Sequence, residues 1–112
     1  MTGTTNLFSG LPQAALPTEQ FDTLLDHSNV KIERIISTGH CAPETGWFDQ
    51  EQDEWVCVLE GDARLEIDGQ GETALSRGDW TFIPAHQRHR VTYTRTSPPT
   101  VWLAVHVYPA RR

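Results

Sequence analysis

The second half of the chain is a series of short strand-like segments, and this pattern limits the fold more than any other feature. Each segment runs for about five to eight residues between Gly, Pro, Asp or Ser: "EWVCVLEG", "DARLEIDG", "GETALSRG", "DWTFIPA", "HRVTYTR" and "TVWLAVHVYP". Evenly spaced short strands with turn signals are typical of β-sandwiches and barrels. The last segment is apolar on both faces, which predicts a strand covered on both sides by the barrel sheet or by a subunit contact.

The first 29 residues have a different pattern. "MTGTTNLFSGLPQAALP" is rich in Thr, Gly and Pro and has no periodicity, so it predicts an arm or loop. In "PTEQFDTLLD", Thr18 is a helix cap and Phe21, Leu24 and Leu25 follow at i, i+3 and i+4, which predicts one short helix. We therefore expect an N-terminal arm and helix over 1–29 and a β-barrel over 30–112, in one domain around one core.

Composition excludes several classes of partner. The formal net charge of −6 and the lack of a long Lys/Arg run argue against nucleic-acid or anionic-membrane binding. No apolar stretch approaches the roughly 20 residues that span a bilayer.

The first residues lack the basic start and apolar run of a signal peptide. Two cysteines, Cys41 and Cys57, are too few for a disulfide scaffold. We expect a cytoplasmic protein with reduced thiols.

Two spaced motifs resemble those of the cupin superfamily, small jelly-roll β-barrels whose motifs carry a metal site. The first family motif ends in Glu, six residues and Gly, as do Glu54 and Gly61 here. In the second motif, Gly78, Pro84 and His89 stand in register. The resemblance covers roughly residues 30 to 108 and implies an all-β, cupin-type jelly-roll barrel.

Departures from the motifs concern the expected metal ligands. The His-x-His pair of the first motif is missing, and Trp47 with Asp49, or Phe48 with Gln50, stands there. In the second motif His86 replaces Gly, and Tyr93 replaces Asn. The Trp-aromatic-Asp-Gln segment over 47–50 is similar to that of a subgroup of small single-domain cupins.

The resemblance directs Glu54 and His89 into the barrel near its mouth. A lone inward Glu is costly to bury unless it is paired or bound to a metal. The further ligand candidates are Asp49, Gln50 and His86. Because neighbours in an extended chain face opposite sides, at most one of Asp49 and Gln50 should ligate without a bulge. Motif spacing favours Asp49, whereas parity with Glu54 favours Gln50, and the sequence leaves both open.

These residues give two hypotheses for function. Oxygen ligands in place of imidazoles favour Mn²⁺, Fe²⁺ or a less selective divalent ion, with Zn²⁺ as a further candidate. The first hypothesis is a metal-dependent enzyme of dioxygenase, isomerase or lyase type on a small polar metabolite, with Glu54 and His106 as candidate catalytic groups. The second is a non-catalytic small-molecule-binding or sensor cupin with a degenerate metal site. The sequence leaves open whether the protein is an enzyme.

Aromatic side chains supply candidates for the wall of a ligand pocket, since barrels of this size can enclose one small ligand. The candidates are Trp47, Phe48, Tyr93 and Trp102. In either hypothesis we expect a homodimer, because the resemblance to single-domain cupins implies pairing and the final strand is apolar on both faces.

Overall fold

The structure, a computed structural model, describes residues 4–109 and contains eight β-strands and no helix in that range. The strands are β1 (Gln20–His27), β2 (Val30–Ser37), β3 (Asp53–Glu60), β4 (Asp62–Ile67), β5 (Gly71–Ser76), β6 (Trp80–Ile83), β7 (His89–Thr94) and β8 (Thr100–Val107). Accordingly, the range holds no helix long and apolar enough to cross a membrane.

The strands form two antiparallel sheets that pack face to face. One sheet has five strands in the order β1-β2-β8-β3-β6, and the other has three in the order β5-β4-β7. The core between them is built by side chains from both sheets: Val56, Val58, Ala63, Leu65, Leu75, Ile83, Trp102 and Ala104. The prediction of an all-β jelly roll is confirmed.

The predicted N-terminal helix is wrong. Residues Gln20–His27 form β1, which pairs antiparallel with β2 at the edge of the larger sheet. The register of this pair shifts between Thr23 and Leu25, so Leu24 is an extra residue on the strand. With this extra residue, the edge strand carries Phe21, Leu24 and Leu25 at the i, i+3, i+4 spacing of a helix. So short a helix would be marginal alone, whereas pairing with β2 satisfies the backbone along the whole segment.

The alternation read from the sequence is confirmed in β4. Ala63 and Leu65 are buried while Arg64 is exposed. In β8, Trp102, Ala104 and His106 face the barrel interior and are buried. The intervening residues of β8 lie on the outer face of the five-stranded sheet.

That outer face carries an apolar row across all five strands. Cross-strand pairing aligns, in spatial order, Leu25, Ile32, Val105, Trp55 and Phe82. Phe82, at the end of this row, is 53% exposed, and Trp80 on the same strand is 60% exposed. A large apolar patch of this kind on a protein surface marks an interaction site.

Gly61 fixes the β3–β4 turn against the start of β8. Its φ of +104° belongs to the region that favours glycine, and a Cβ there would lie 2.7 Å from the Thr100 Cα. Thr100 in turn donates its hydroxyl to the carbonyl oxygen of Asp62, at 3.1 Å. The second half of the first sequence motif is therefore explained by backbone packing.

Candidate functional site

The barrel encloses a cavity of about 160 Å³ between the two sheets. Most of its wall is apolar, with Phe48, Val91 and Trp102 among the contributing residues. Six polar residues also line it: Glu19, Glu33, Gln50, Glu54, His89 and His106. An apolar cavity with a few convergent polar groups is the usual form of a small-molecule site.

Glu54 and His89 face each other in this cavity from opposite sheets. His89 Nε2 lies 3.8 Å from Glu54 Oε1, and the two side chains are only 5% and 10% exposed. His89 Nδ1 lies 2.8 Å from the carbonyl oxygen of Gln87 and donates to it. In the neutral ring this leaves the Nε2 lone pair directed towards Glu54. Burial raises the pKa of Glu54, and the nearby His106 and His89 charges oppose that effect.

Gln50 adds a buried acceptor that is not satisfied. Its Oε1 has no hydrogen-bond partner among the described residues, although the side chain lines the same cavity. An unsatisfied buried polar atom costs about 1–3 kcal/mol. The amide oxygen is therefore a natural contact point for a donor or a cation.

Asp49 and His86 lie outside the cavity. Asp49 Oδ1 is 2.8 Å from His86 Nδ1, and both side chains are more than half exposed. The backbone N–H of His86 donates to the carbonyl oxygen of Gln50, which holds the loop beside the mouth. Of the three further ligand candidates from the sequence, the structure brings only Gln50 next to Glu54 and His89.

A second buried acid–imidazole pair lies in the cavity, formed by Glu33 and His106. His106 Nε2 is 2.9 Å from Glu33 Oε1, and His106 Nδ1 is 3.2 Å from Gln52 Nε2. If the Gln52 amide donates to Nδ1, the Nε2–H of the neutral ring donates to Glu33. Burial lowers the pKa of His106, but the hydrogen bond to Glu33 and the charges of Glu54 and Glu33 outweigh it and raise the pKa. The hydrogen bond from His106 lowers the pKa of Glu33.

Sequence reasoning missed Glu19, Glu33 and Gln52. Glu33 could have been predicted, because it shares a strand face with Ile35. Alternation along the strand directs it inwards, as it does Glu54. Glu19 accepts a hydrogen bond from Ser37 at the cavity rim, but it lay in the segment predicted as a helix. No sequence signal distinguished Gln52 from its polar neighbours.

Two of the four aromatic pocket candidates line the cavity. The Phe48 ring lies 5.4 Å from the His89 ring, and Trp102 donates its indole N–H to the Ser37 hydroxyl at 3.2 Å. Trp47 and Tyr93 lie outside: the Arg90 guanidinium sits 4.1 Å from the centre of a Trp47 ring, and Tyr93 is 46% exposed.

The donors that line the cavity fit a divalent metal ion: Glu54 and His89 stand at motif positions, and Gln50 stands where the motif has the missing imidazole. In the part of the chain that the structure describes, no group of three His, Cys, Asp or Glu side chains is placed to hold a metal. His89 Nε2, the Glu54 carboxylate and the unsatisfied Gln50 oxygen instead offer one imidazole, one carboxylate and one amide. This mixed donor set suits Mn²⁺ or Fe²⁺ and leaves coordination positions open.

A jelly-roll barrel with acids and imidazoles inside one small cavity defines a compact ligand-binding β-barrel. A family profile described as the cupin domain matches residues 38–106. The chain belongs to the cupin domain family, and the resemblance drawn from the sequence motifs is confirmed.

Solved structures agree with this assignment. A protein from Ralstonia eutropha JMP134, provisionally named a mannose-6-phosphate isomerase, is 45% identical; the match covers 96% of this chain and all of that one, with a TM-score of 0.89. A cupin superfamily protein from Desulfitobacterium hafniense DCB-2 is 17% identical over 97% of this chain and 94% of its own, with a TM-score of 0.77.

An RmlC-like cupin family protein from Methanocaldococcus jannaschii has the double-stranded β-helix fold. It is 15% identical to this chain, with 83% of each chain covered and a TM-score of 0.69. At such identities the likeness concerns the fold alone. No curated protein matches the sequence significantly.

Proposed function

We propose that this cupin is a metal-assisted enzyme of isomerase or lyase type that moves a proton on a small polar molecule in the barrel cavity. The observation that carries the proposal is the arrangement of Glu54, His89 and Gln50. A buried carboxyl, a free imidazole nitrogen and a glutamine whose amide oxygen is unsatisfied belong to residues that line one small space. Together they form the environment that a divalent cation or a hydrogen-bonding ligand would complete.

Glu54, His89 and Gln50 would hold the metal in this proposal. When bound, the ion would act as a Lewis acid on a carbonyl or hydroxyl oxygen of the ligand. The Nδ1–H of His89, fixed by the Gln87 carbonyl, orients the ring, and hydrogen bonds of this kind are usual for imidazole ligands. Burial of Glu54 disfavours its bare charge, so a cation there would relieve the penalty that raises its pKa.

His106 is the residue to which we assign proton transfer. It stands directly across from Glu54 in the β3–β8 pair, so a ligand held at Glu54 would lie beside it. Glu33 stabilises the protonated ring and holds its orientation, as an acid partner does for a general acid or base. The apolar walls contributed by Phe48 and Trp102 limit the access of water.

The name of the Ralstonia eutropha relative supports an isomerase, because aldose–ketose isomerisation is a proton transfer next to a carbonyl. A non-catalytic binding module is the second candidate. It is favoured by one observation: within residues 4–109, no third His, Cys, Asp or Glu is placed to complete a metal site with Glu54 and His89. Turnover separates the two candidates, since a binding module would be stabilised by ligands without exchanging their protons.

Elemental analysis of protein purified without chelator tests the site. We expect near-stoichiometric divalent metal in the native protein and a loss in Glu54→Gln and His89→Ala. Asp49→Asn and His86→Ala are the matched controls, because both change similar groups outside the cavity and should keep the metal. An unchanged metal content in both cavity variants would refute the assignment.

We also propose a homodimer, formed by the outer apolar row of the five-stranded sheet and located in the cytoplasm. The row crosses the whole sheet, and its aromatic end is the most exposed part. A stable interface buries about 800 Å² on each partner, which a five-stranded face can supply. Cys41 and Cys57 are both free, and the cytoplasm would keep them reduced.

A further inference from the structure

We propose that the ligand of this cavity is a small molecule without a phosphate or carboxylate group, of the size of a three-carbon hydroxycarbonyl compound. The inference deepens the proposed function and relies on it only for the cavity being the ligand site. It assigns this chain a different substrate class from the sugar phosphate in the name of the Ralstonia eutropha relative.

The charges around the cavity are the first argument. Its wall contains three glutamates, Glu19, Glu33 and Glu54, and none of its residues in the described range is Lys or Arg. Phosphate and carboxylate groups on ligands are normally met by Arg, Lys or a helix N-terminus, and the described range contains no helix. An anionic group would enter a space whose fixed charges are mostly negative.

The Lys and Arg side chains of the described residues lie outside the cavity wall and are paired with carboxylates. All of them form ion pairs with carboxylates: Lys31, Arg34, Arg64, Arg77, Arg88, Arg90 and Arg95. Lys31 contacts a residue of the cavity wall, because its Nζ lies 3.8 Å from Glu33 Oε2. Lys31 does not line the cavity, and its charge is offset by that carboxylate.

A metal ion at Glu54, His89 and Gln50 would not change this conclusion. Such an ion offers positive charge at one point of the cavity, where it can bind a carbonyl or hydroxyl oxygen of the ligand. A separate phosphate on the same ligand would lie against apolar residues such as Val91 or near Glu33. Burying a charge without a partner is strongly unfavourable.

The volume of the cavity is the second argument. A cavity of roughly 150 Å³ accommodates benzene, and the present one, at about 160 Å³, is nearly the same size. The interior of this partly open cavity therefore accommodates about six non-hydrogen atoms, as many as glyceraldehyde or dihydroxyacetone has. A hexose phosphate is far larger.

Matched ligands test the charge rule on the full-length protein. Calorimetric titration compares dihydroxyacetone with dihydroxyacetone phosphate, and glyceraldehyde with its phosphate, while the indole N–H resonance of Trp102 reports binding inside the cavity. We expect the uncharged member of at least one pair to bind at least tenfold more tightly. Equal or tighter binding of the phosphate esters would overturn the inference, and so would the absence of binding by every probe.

Metal analysis keeps this result separate from the proposed function. If the metal is absent but the uncharged probes bind, the charge rule stands and the metal-assisted reaction fails. If the metal is present and the phosphate esters bind better, the charge rule alone fails.

Introducing a cation at the rim gives a second test. Phe21 lines the cavity and is 58% exposed, so Phe21→Arg should fold and place a positive charge at the mouth. Leu24→Arg is the matched control, because Leu24 lies on the same strand, is 46% exposed and does not line the cavity. We expect Phe21→Arg to raise the affinity for the phosphate ester about tenfold and Leu24→Arg to leave it nearly unchanged. An equal response of the two variants would contradict the explanation by missing charge.

Discussion

His106 and Glu33 form a buried pair, with His106 Nε2 2.9 Å from Glu33 Oε1, although 73 positions separate them in the chain. The pair belongs to β8 and β2, which are neighbours in the five-stranded sheet. It gives the cavity an imidazole with a raised pKa next to the proposed metal ligands.

Glu33→Gln should lower the pKa of His106. Burial alone lowers that pKa, and the interactions with Glu33 and Glu54 reverse the effect in the native protein. With the Glu33 charge removed, burial should dominate and bring the pKa below its native value. Titration of the His106 ring by NMR in metal-free protein measures the shift. An unchanged value would show that Glu33 does not set the charge of this ring.

The same variant should change how stability depends on pH. Because the pKa of His106 is raised in the native state, its contribution is fully present below about pH 6.5, the usual value for histidine, and is lost as the pH rises through the native pKa. Glu33, with a lowered pKa, contributes above about pH 4.3, and this is lost as the pH falls through its native pKa. Denaturant unfolding should show that the stability of the native protein declines between about pH 6.5 and pH 8. In Glu33→Gln this decline should be weaker.

Gln50→Leu should stabilise the metal-free protein while weakening metal binding. The substitution removes a buried unsatisfied oxygen, whose penalty is about 1–3 kcal/mol, at similar side-chain volume. Thermal unfolding with chelator should give a higher midpoint than in the native protein, and added Mn²⁺ should raise it less. If Mn²⁺ stabilises the variant and the native protein equally, Gln50 is not a ligand.

Gly61→Ala should destabilise the fold by about 2 kcal/mol or more, because a positive φ and a contact with the Thr100 backbone both oppose a Cβ. Gly69→Ala is the control. Its φ is also positive, at +83°, but a Cβ there would meet no atom within 4 Å, so about 1 kcal/mol is expected. Denaturant midpoints compare the two, and equal losses would show that the Thr100 contact has no role.

Charge on the outer apolar row should dissociate the proposed dimer. Trp80→Lys and Phe82→Lys each place a cation on an exposed aromatic position of β6, and we expect monomers by sedimentation at micromolar concentration. Tyr93→Lys alters an aromatic residue of similar exposure on the other sheet and should leave the dimer intact. A native protein that is already monomeric would refute the proposal.

Much of the barrel could be predicted because the order of apolar and polar residues in a strand shows which of its faces is buried. The alternation in β4 follows from packing between the two layers and can be read from a few consecutive residues. Of the two apolar faces of β8, one packs into the core and the other belongs to the outer apolar row. The segment containing Leu24 was misread since a register shift on an edge strand imitates helical spacing. Such a shift depends on the partner strand, which local sequence does not encode.

Only part of the candidate site could be predicted from the sequence, for a related reason. Glu54 and His89 follow from motif spacing, and their role as metal ligands stays a prediction. Asp49 and Gln50 could not be separated from sequence, because the path of the loop before β3 decides which of them faces inward. The structure places Gln50 at the cavity and pairs Asp49 with His86 outside. Glu33 was missed because its partner His106 lies on a strand distant in sequence.

Pairing of β2 with β8 also has a consequence for how the protein is made. Val30 lies opposite Val107, so strands far apart in the chain are neighbours in the larger sheet. Contacts of such long range slow folding. During synthesis β2 can pair with β8 only after residues 100–107 have left the ribosome, so the cavity is completed only then. A ribosome stalled before residue 100 would carry a chain whose cavity lacks Trp102 and His106.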